Sequence, residues 1–175
     1  MHSKSTGFTL IELLFSISVL ALLLSLAAPT MQEFQQRQRI VSLANELVGH
    51  INIARMHAIS AHELTILCPS SNGLACSDSN RWELGWMVFR DPDRNGMPDQ
   101  ADHILRVGAG TRSLIVDSGG RTRLRYQADG TAGGSNQTIK LCDPNYPDQS
   151  RAVIISNPGR PRVDALPEHL SCPEN

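Results

Sequence analysis

Arg160 and Arg162 flank Pro161 directly after Asn157-Pro158-Gly159. Residues two apart in an extended segment point the same way, so two guanidinium forks would project from one face. Pro161 favours extension and removes an edge donor. The triplet before it, with Pro at the first central position and Gly at the second, predicts a type II turn. Residues 151–163 carry three Arg and no acid. Paired forks at this spacing suit successive phosphates of a nucleic-acid backbone. The plainer reading is a surface pair bridged to Asp164 or Glu168. Lys140 and Arg151, on strands leading to the same end, are further candidate phosphate contacts. A second basic run, Gly120-Arg121-Thr122-Arg123-Leu124-Arg125, also holds three Arg; it reads as a solvated strand face in preference to a second patch.

Other chemistry is thinner. His62-Glu63 begins like a zinc-protease helix, but Ile66 stands where the second His must be. No phosphate-binding loop or G-x-S-x-G is present, so no catalytic residue and no cofactor is implied. The loop Asp91-x-Asp93-x-Asn95-Gly96-x-x-Asp99-x-x-Asp102 spaces oxygens as calcium loops do. Pro92 follows the first ligand, however, and the last position is Asp instead of Glu. Asn95-Gly96 is equally a hairpin signal, and the turn is preferred over a metal site.

Phe8–Ala28 is a run of twenty-one residues with one ionisable group, Glu12. As an α-helix it spans ~30 Å, the thickness of a hydrocarbon core. The leader before it carries Lys4 and no acid, which orients that end to the cytoplasm. A cleaved secretory signal would have a shorter apolar run, and here Glu12 lies deep inside it. A carboxylate at that depth costs about 2.5–3.5 kcal/mol on insertion scales and so marks a functional position.

The elements that must position these residues follow from patterning. The charge is balanced, 16 Lys+Arg against 17 Asp+Glu, so no bulk field draws the chain to nucleic acid. Arg supplies fourteen of those basic residues and Lys two. After Pro29, which would kink a helix, Ile40, Leu43, Ala44, Leu47, Ile51, Ala54 and Ala58 recur at helical spacing. One helix from about Thr9 to about His62 is expected, its second half laying an apolar stripe on a head domain. Glu63–Cys68, Trp82–Arg90, His103–Val107, Ser113–Asp117, Arg123–Gln127, Thr138–Cys142 and Arg151–Ser156 read as short strands between Gly, Pro, Asn and Asp turns. They predict an α+β fold with one antiparallel sheet or two.

Four cysteines, Cys68, Cys76, Cys142 and Cys172, behind a membrane helix fit an oxidising compartment. No close C-x-x-C pair supports zinc. Three connectivities are open; Cys68–Cys76 with Cys142–Cys172 is preferred because neither bridge ties helix-proximal strands to the tail.

Gly7-Phe8-Thr9-Leu10-Ile11-Glu12 resembles the class III signal of type IV pilins and type II secretion pseudopilins. The resemblance implies that a prepilin peptidase cuts between Gly7 and Phe8 and N-methylates Phe8. It implies that Glu12 pairs with a neighbouring subunit's N-terminal amine in a filament, as an intramembrane carboxylate requires. The organisation would be a leader over 1–7, a transmembrane helix over 8–28, its amphipathic continuation over 29–62 and a periplasmic β-rich head over 63–175. Trp82–Asp91 and the following Asp93-Arg94-Asn95-Gly96 are similar to the GspH/FimT branch, and Gly159-Arg160-Pro161-Arg162 is similar to the GRxR motif of its DNA-binding minor pilins. The implied partners are DNA, the prepilin peptidase, other pilins and the inner membrane. Two alternatives share the same N-terminus: a structural minor pilin that primes assembly, and a secretion pseudopilin that binds no DNA.

Overall fold

The computed structural model describes residues 9–99, 103–167 and 169–173, without the side chains of 26–30. Gly7, Phe8 and Asp102 lie outside these residues, as do Glu168 and the side chain of Pro29. The contacts divide the chain into two units that meet between Gln38 and Arg39.

Helix α1 (Leu10–Ala61) runs through both units. Thr9 starts it, its Oγ1 accepting the Glu12 N–H at 3.4 Å, as short hydroxyl side chains do at helix N-termini. His62 ends it in the left-handed region at φ 55°. In the first unit the described apolar side chains are exposed on every side of the helix, from Leu10 at 77% through Phe15 at 72% to Leu24 at 59%. An apolar surface all round a helix needs cover from lipid or other helices. Among the described residues, no helix is long and apolar enough to cross a membrane. The described side chains of the Phe8–Ala28 run begin at Thr9 and stop at Ser25.

In the second unit the helical stripe is buried as its period requires: Ile40, Leu43, Ala44, Leu47, Ile51, Ala54 and Ala58 are all at most 7% exposed. They pack on two four-stranded antiparallel sheets. The first sheet has the order β3 (Ile104–Gly108), β2 (Trp86–Arg90), β1 (Thr65–Pro69), β5 (Leu124–Tyr126). The second has β4 (Ile115–Asp117), β6 (Gln137–Cys142), β7 (Arg151–Ile155), β8 (Pro161–Ala165). The two-sheet alternative is therefore the observed one. Trp82–Leu84, expected to open a long strand, instead forms a 3-10 turn, and Gly85 at φ 119° lets the chain enter β2. The added strand β8 carries the Pro161–Val163 segment.

Alternation explains the burial. Leu67, Trp86, Val88, Leu124 and Tyr126 join the helix stripe in the main core, together with Val116, Ile139, Leu141, Val153 and Ile155 of the second sheet. The opposite face of β1 and β2 is also apolar: Ile66, Cys68, Met87 and Phe89 form a second cluster with Cys76 packed on it. The disulfide Cys68–Cys76 thus pins the following loop over that face. A second disulfide, Cys142–Cys172, fastens the tail to β6.

Candidate nucleic-acid interface

The end of the second sheet is set by register. In the main core Val153 and Ile155 share the helix-facing side of β7, so Ala152 and Ile154 face outward. Ile154 pairs with Arg162 and Ala152 with Asp164, which places Arg162 and Asp164 on the outer face of β8. Arg162 Nε lies 2.9 Å from Asp164 Oδ2, and both side chains are more than half exposed. Such an exposed pair contributes ~0–1 kcal/mol and is screened by salt. Arg160, one residue before β8, is exposed. Among the described residues it has no ion-pair or hydrogen-bond partner.

The turn that presents Arg160 is held from outside. Gly159 N donates to Ser156 O at 2.8 Å, so Asn157 and Pro158 are the central residues, one position earlier than the sequence predicts. The shift follows from tertiary contacts. Asn157 O accepts the Ala132 N–H at 2.9 Å, and Gly159 O accepts the Tyr126 hydroxyl at 2.8 Å. Gly159 is buried with φ 81° and lies against Gly130 and Tyr126; a Cβ there would collide with the Gly130 carbonyl oxygen. Burial pushes the Tyr126 phenol well above its ordinary value, so it remains a protonated donor.

Of the two supporting contacts expected from sequence, Lys140 shares the outer face of this sheet but is already paired, and Arg151 lies on the other side. Lys140 lies on the outer face of β6, but its Nζ sits 2.8 Å from Asp117 Oδ2, its cross-strand neighbour. The same ammonium donates to Ser171 O at 3.0 Å. That charge is already neutralised and covered by the tail. Arg151 shares the parity of Val153, so it points to the side opposite Arg162, and its Nη1 donates to Ser150 O at 3.2 Å.

The second basic run forms more of a site than its sequence foretells. Arg121, Arg123 and Arg125 line one open depression of about 480 Å³ with Gly134 and Ser135 among its other walls. Their grouping depends on a loop distant in sequence: Arg121 Nη1 donates to Gly134 O at 2.9 Å, and Arg125 N donates to Ser135 Oγ at 2.9 Å.

The acidic loop joins the antiparallel neighbours β2 and β3. Asp91 is buried, and its Oδ2 accepts the Gly96 N–H at 3.0 Å. Burial, with Asp93 adding to it, raises the Asp91 carboxyl above its ordinary value. The Asn95 amide donates to Asp93 and Asp99 at 2.8 and 2.9 Å, lying between oxygens that a cation would need. Among the described residues no three His, Cys, Asp or Glu side chains are gathered to hold a metal ion.

Residues 43–159 match the family model of the type II transport protein GspH. The chain belongs to the GspH family. Residues 2–28 of this GspH-family protein match the prokaryotic N-terminal methylation motif. The GspH match ends at Gly159, so Arg160 and Arg162 lie beyond it. Two crystal structures of the type IV minor pilin FimU from Pseudomonas aeruginosa (strain PAO1) share the fold. One is 22% identical with a TM-score of 0.59, covering 78% of this chain and 95% of FimU. The other is 21% identical with a TM-score of 0.55, covering 74% and 94%. No curated protein is significantly similar to the chain. The long helix on two antiparallel sheets is thus the type IV pilin fold, in a GspH-like chain with a methylation motif.

Proposed function

We propose that this chain is a minor type IV pilin that binds DNA without sequence preference through Arg160 and Arg162, for uptake in natural transformation. The observation that carries the reading is Arg160: an exposed guanidinium without a partner among the described residues, at the exit of a turn clamped by Tyr126 and Ala132. Arg162 follows two residues on, held among the described residues only by a surface ion pair that phosphate can displace. Lys140, paired with Asp117, and Arg151, bonded to the Ser150 carbonyl, are left out of this proposal.

In this reading prepilin peptidase cuts between Gly7 and Phe8 and methylates Phe8. Phe8–Ala28 is a single-pass inner-membrane anchor with a periplasmic head until the subunit is drawn into a filament with other pilins. The exposed apolar side chains of Leu10–Leu24 are covered first by lipid and then by neighbouring helices, and Glu12 pairs with a neighbour's N-terminal amine. The protein has no catalytic role.

Two phosphate contacts give a salt slope of about −2 on duplex DNA and micromolar or weaker affinity. The test is DNA binding by the full-length protein in detergent, titrated in salt, against Arg160→Gln/Arg162→Gln. Loss of binding with an unchanged melting temperature supports the reading. Absence of salt-sensitive binding by the wild type overturns it. The Arg162–Asp164 ion pair favours a second reading, a structural minor pilin that primes assembly, and that result would select it.

A further inference from the structure

The structure assigns a second phosphate-backbone site to the depression lined by Arg121, Arg123 and Arg125, continuous with the Arg160 turn. This inference rests on the DNA-binding reading above and extends its footprint from two arginines to five.

Three observations support it. The first is shape: the three guanidinium groups line one concavity of about 480 Å³ instead of dispersing over a strand face. Concave walls focus the field of like charges and favour a polyanion. The second is availability. The Arg125 side chain is exposed and has no partner among the described residues. Arg121 is exposed, and among the described residues its guanidinium engages only the Gly134 carbonyl, a neutral acceptor. Arg123 has a buried Nε without a hydrogen-bond partner, and its Nη2 stands 3.9 Å from Asp78, whose side chain is 96% exposed. The Asp129 carboxylate on the neighbouring loop is occupied locally by Thr131, whose N–H and hydroxyl both donate to it.

The third is continuity. The loop that walls the depression also holds the tail turn: Ala132 N donates to Asn157 O, while Gly134 and Ser135 bind Arg121 and the backbone of Arg125. Three residues of backbone, at most ~10 Å, separate Ala132 from Ser135. The same short loop thus supports both arginine groups. In this inference one DNA backbone that engages Arg160 and Arg162 continues over that loop to the depression. The planar forks suit bidentate phosphate contacts.

The test uses the full-length protein in detergent, a fluorescent 30-base-pair duplex and a salt titration. Arg121→Gln/Arg125→Gln changes the two exposed arginines and leaves half-buried Arg123 in place. The expected result is weaker binding, on the order of tenfold, and a salt slope shallower by about two. Arg125→Gln alone, whose guanidinium makes no hydrogen bond or ion pair among the described residues, keeps the fold and makes the slope shallower by about one.

If Arg121→Gln/Arg125→Gln and Arg125→Gln bind like wild type while Arg160→Gln/Arg162→Gln does not bind, this inference falls and the tail reading stands. If the groove variants lose binding while the tail variant keeps it, the groove holds and the tail reading falls. No salt-sensitive binding by wild type overturns both. Poly-glutamate competing as well as DNA at equal charge overturns the inference in favour of an acidic protein partner.

Discussion

The Tyr126 hydroxyl donates to the Gly159 carbonyl at 2.8 Å, joining β5 of the first sheet to the β7–β8 turn of the second. Through this bond a residue of the main core sets the backbone from which Arg160 leaves. Tyr126→Phe removes the donor and strands a buried carbonyl, at an expected cost of about 1–2 kcal/mol in thermal or urea unfolding. DNA affinity should weaken several-fold with no change in net charge. Gly159→Ala is expected to cost more, because it adds a clash with the Gly130 carbonyl to an unfavourable positive φ.

Asp164→Asn tests the competition for Arg162. The Arg162–Asp164 pair is exposed, so its loss should change unfolding stability by less than about 0.5 kcal/mol. Removing one negative charge beside the proposed contacts should tighten DNA binding about two- to five-fold at low salt, with the gain fading as salt rises. Weaker DNA binding by Asp164→Asn would count against Arg162 as a contact.

Trp86 Nε1 donates to His50 Nδ1 at 2.8 Å, tying β2 to α1. Burial lowers the His50 value below 6.5, while Glu46 opposes this and Arg106 reinforces it. The unfolded chain therefore takes up the proton first. Stability from this group is fully present above about pH 6.5 and is lost as pH falls from there toward the folded value. The melting temperature should drop as pH falls below about 6.5, and His50→Gln should flatten that part of the profile.

The two disulfides should differ in weight. Cys68–Cys76 closes a sequence separation of 8 and Cys142–Cys172 one of 30. Chain-entropy arithmetic assigns ~2.5 and ~3.5 kcal/mol. Cys142→Ser/Cys172→Ser should lower the melting temperature further than Cys68→Ser/Cys76→Ser. It should also release the tail from Lys140, whose Nζ now binds Ser171 O.

The sequence by itself determined the helix and its buried stripe, because a period of 3.6 residues leaves one face for Ile40 through Ala58 whatever they meet. It determined most of the strands through short runs set between Gly, Pro, Asn and Asp turns, and the methylation motif because that signal is contiguous in the chain. The surroundings of Lys140, Arg151 and the Arg121–Arg125 run were not legible in the sequence, and each for a non-local cause. Lys140 is neutralised by Asp117, its opposite number on β4, a pairing that exists only once register is set. Arg151 lies on the helix-facing side because Val153 does. The three arginines share a depression because residues 133–135 fold over beside them. Spacing along a chain decides which side of an element a residue takes. Which charges meet there is decided by strand register and loop packing, and only the tertiary structure supplies those.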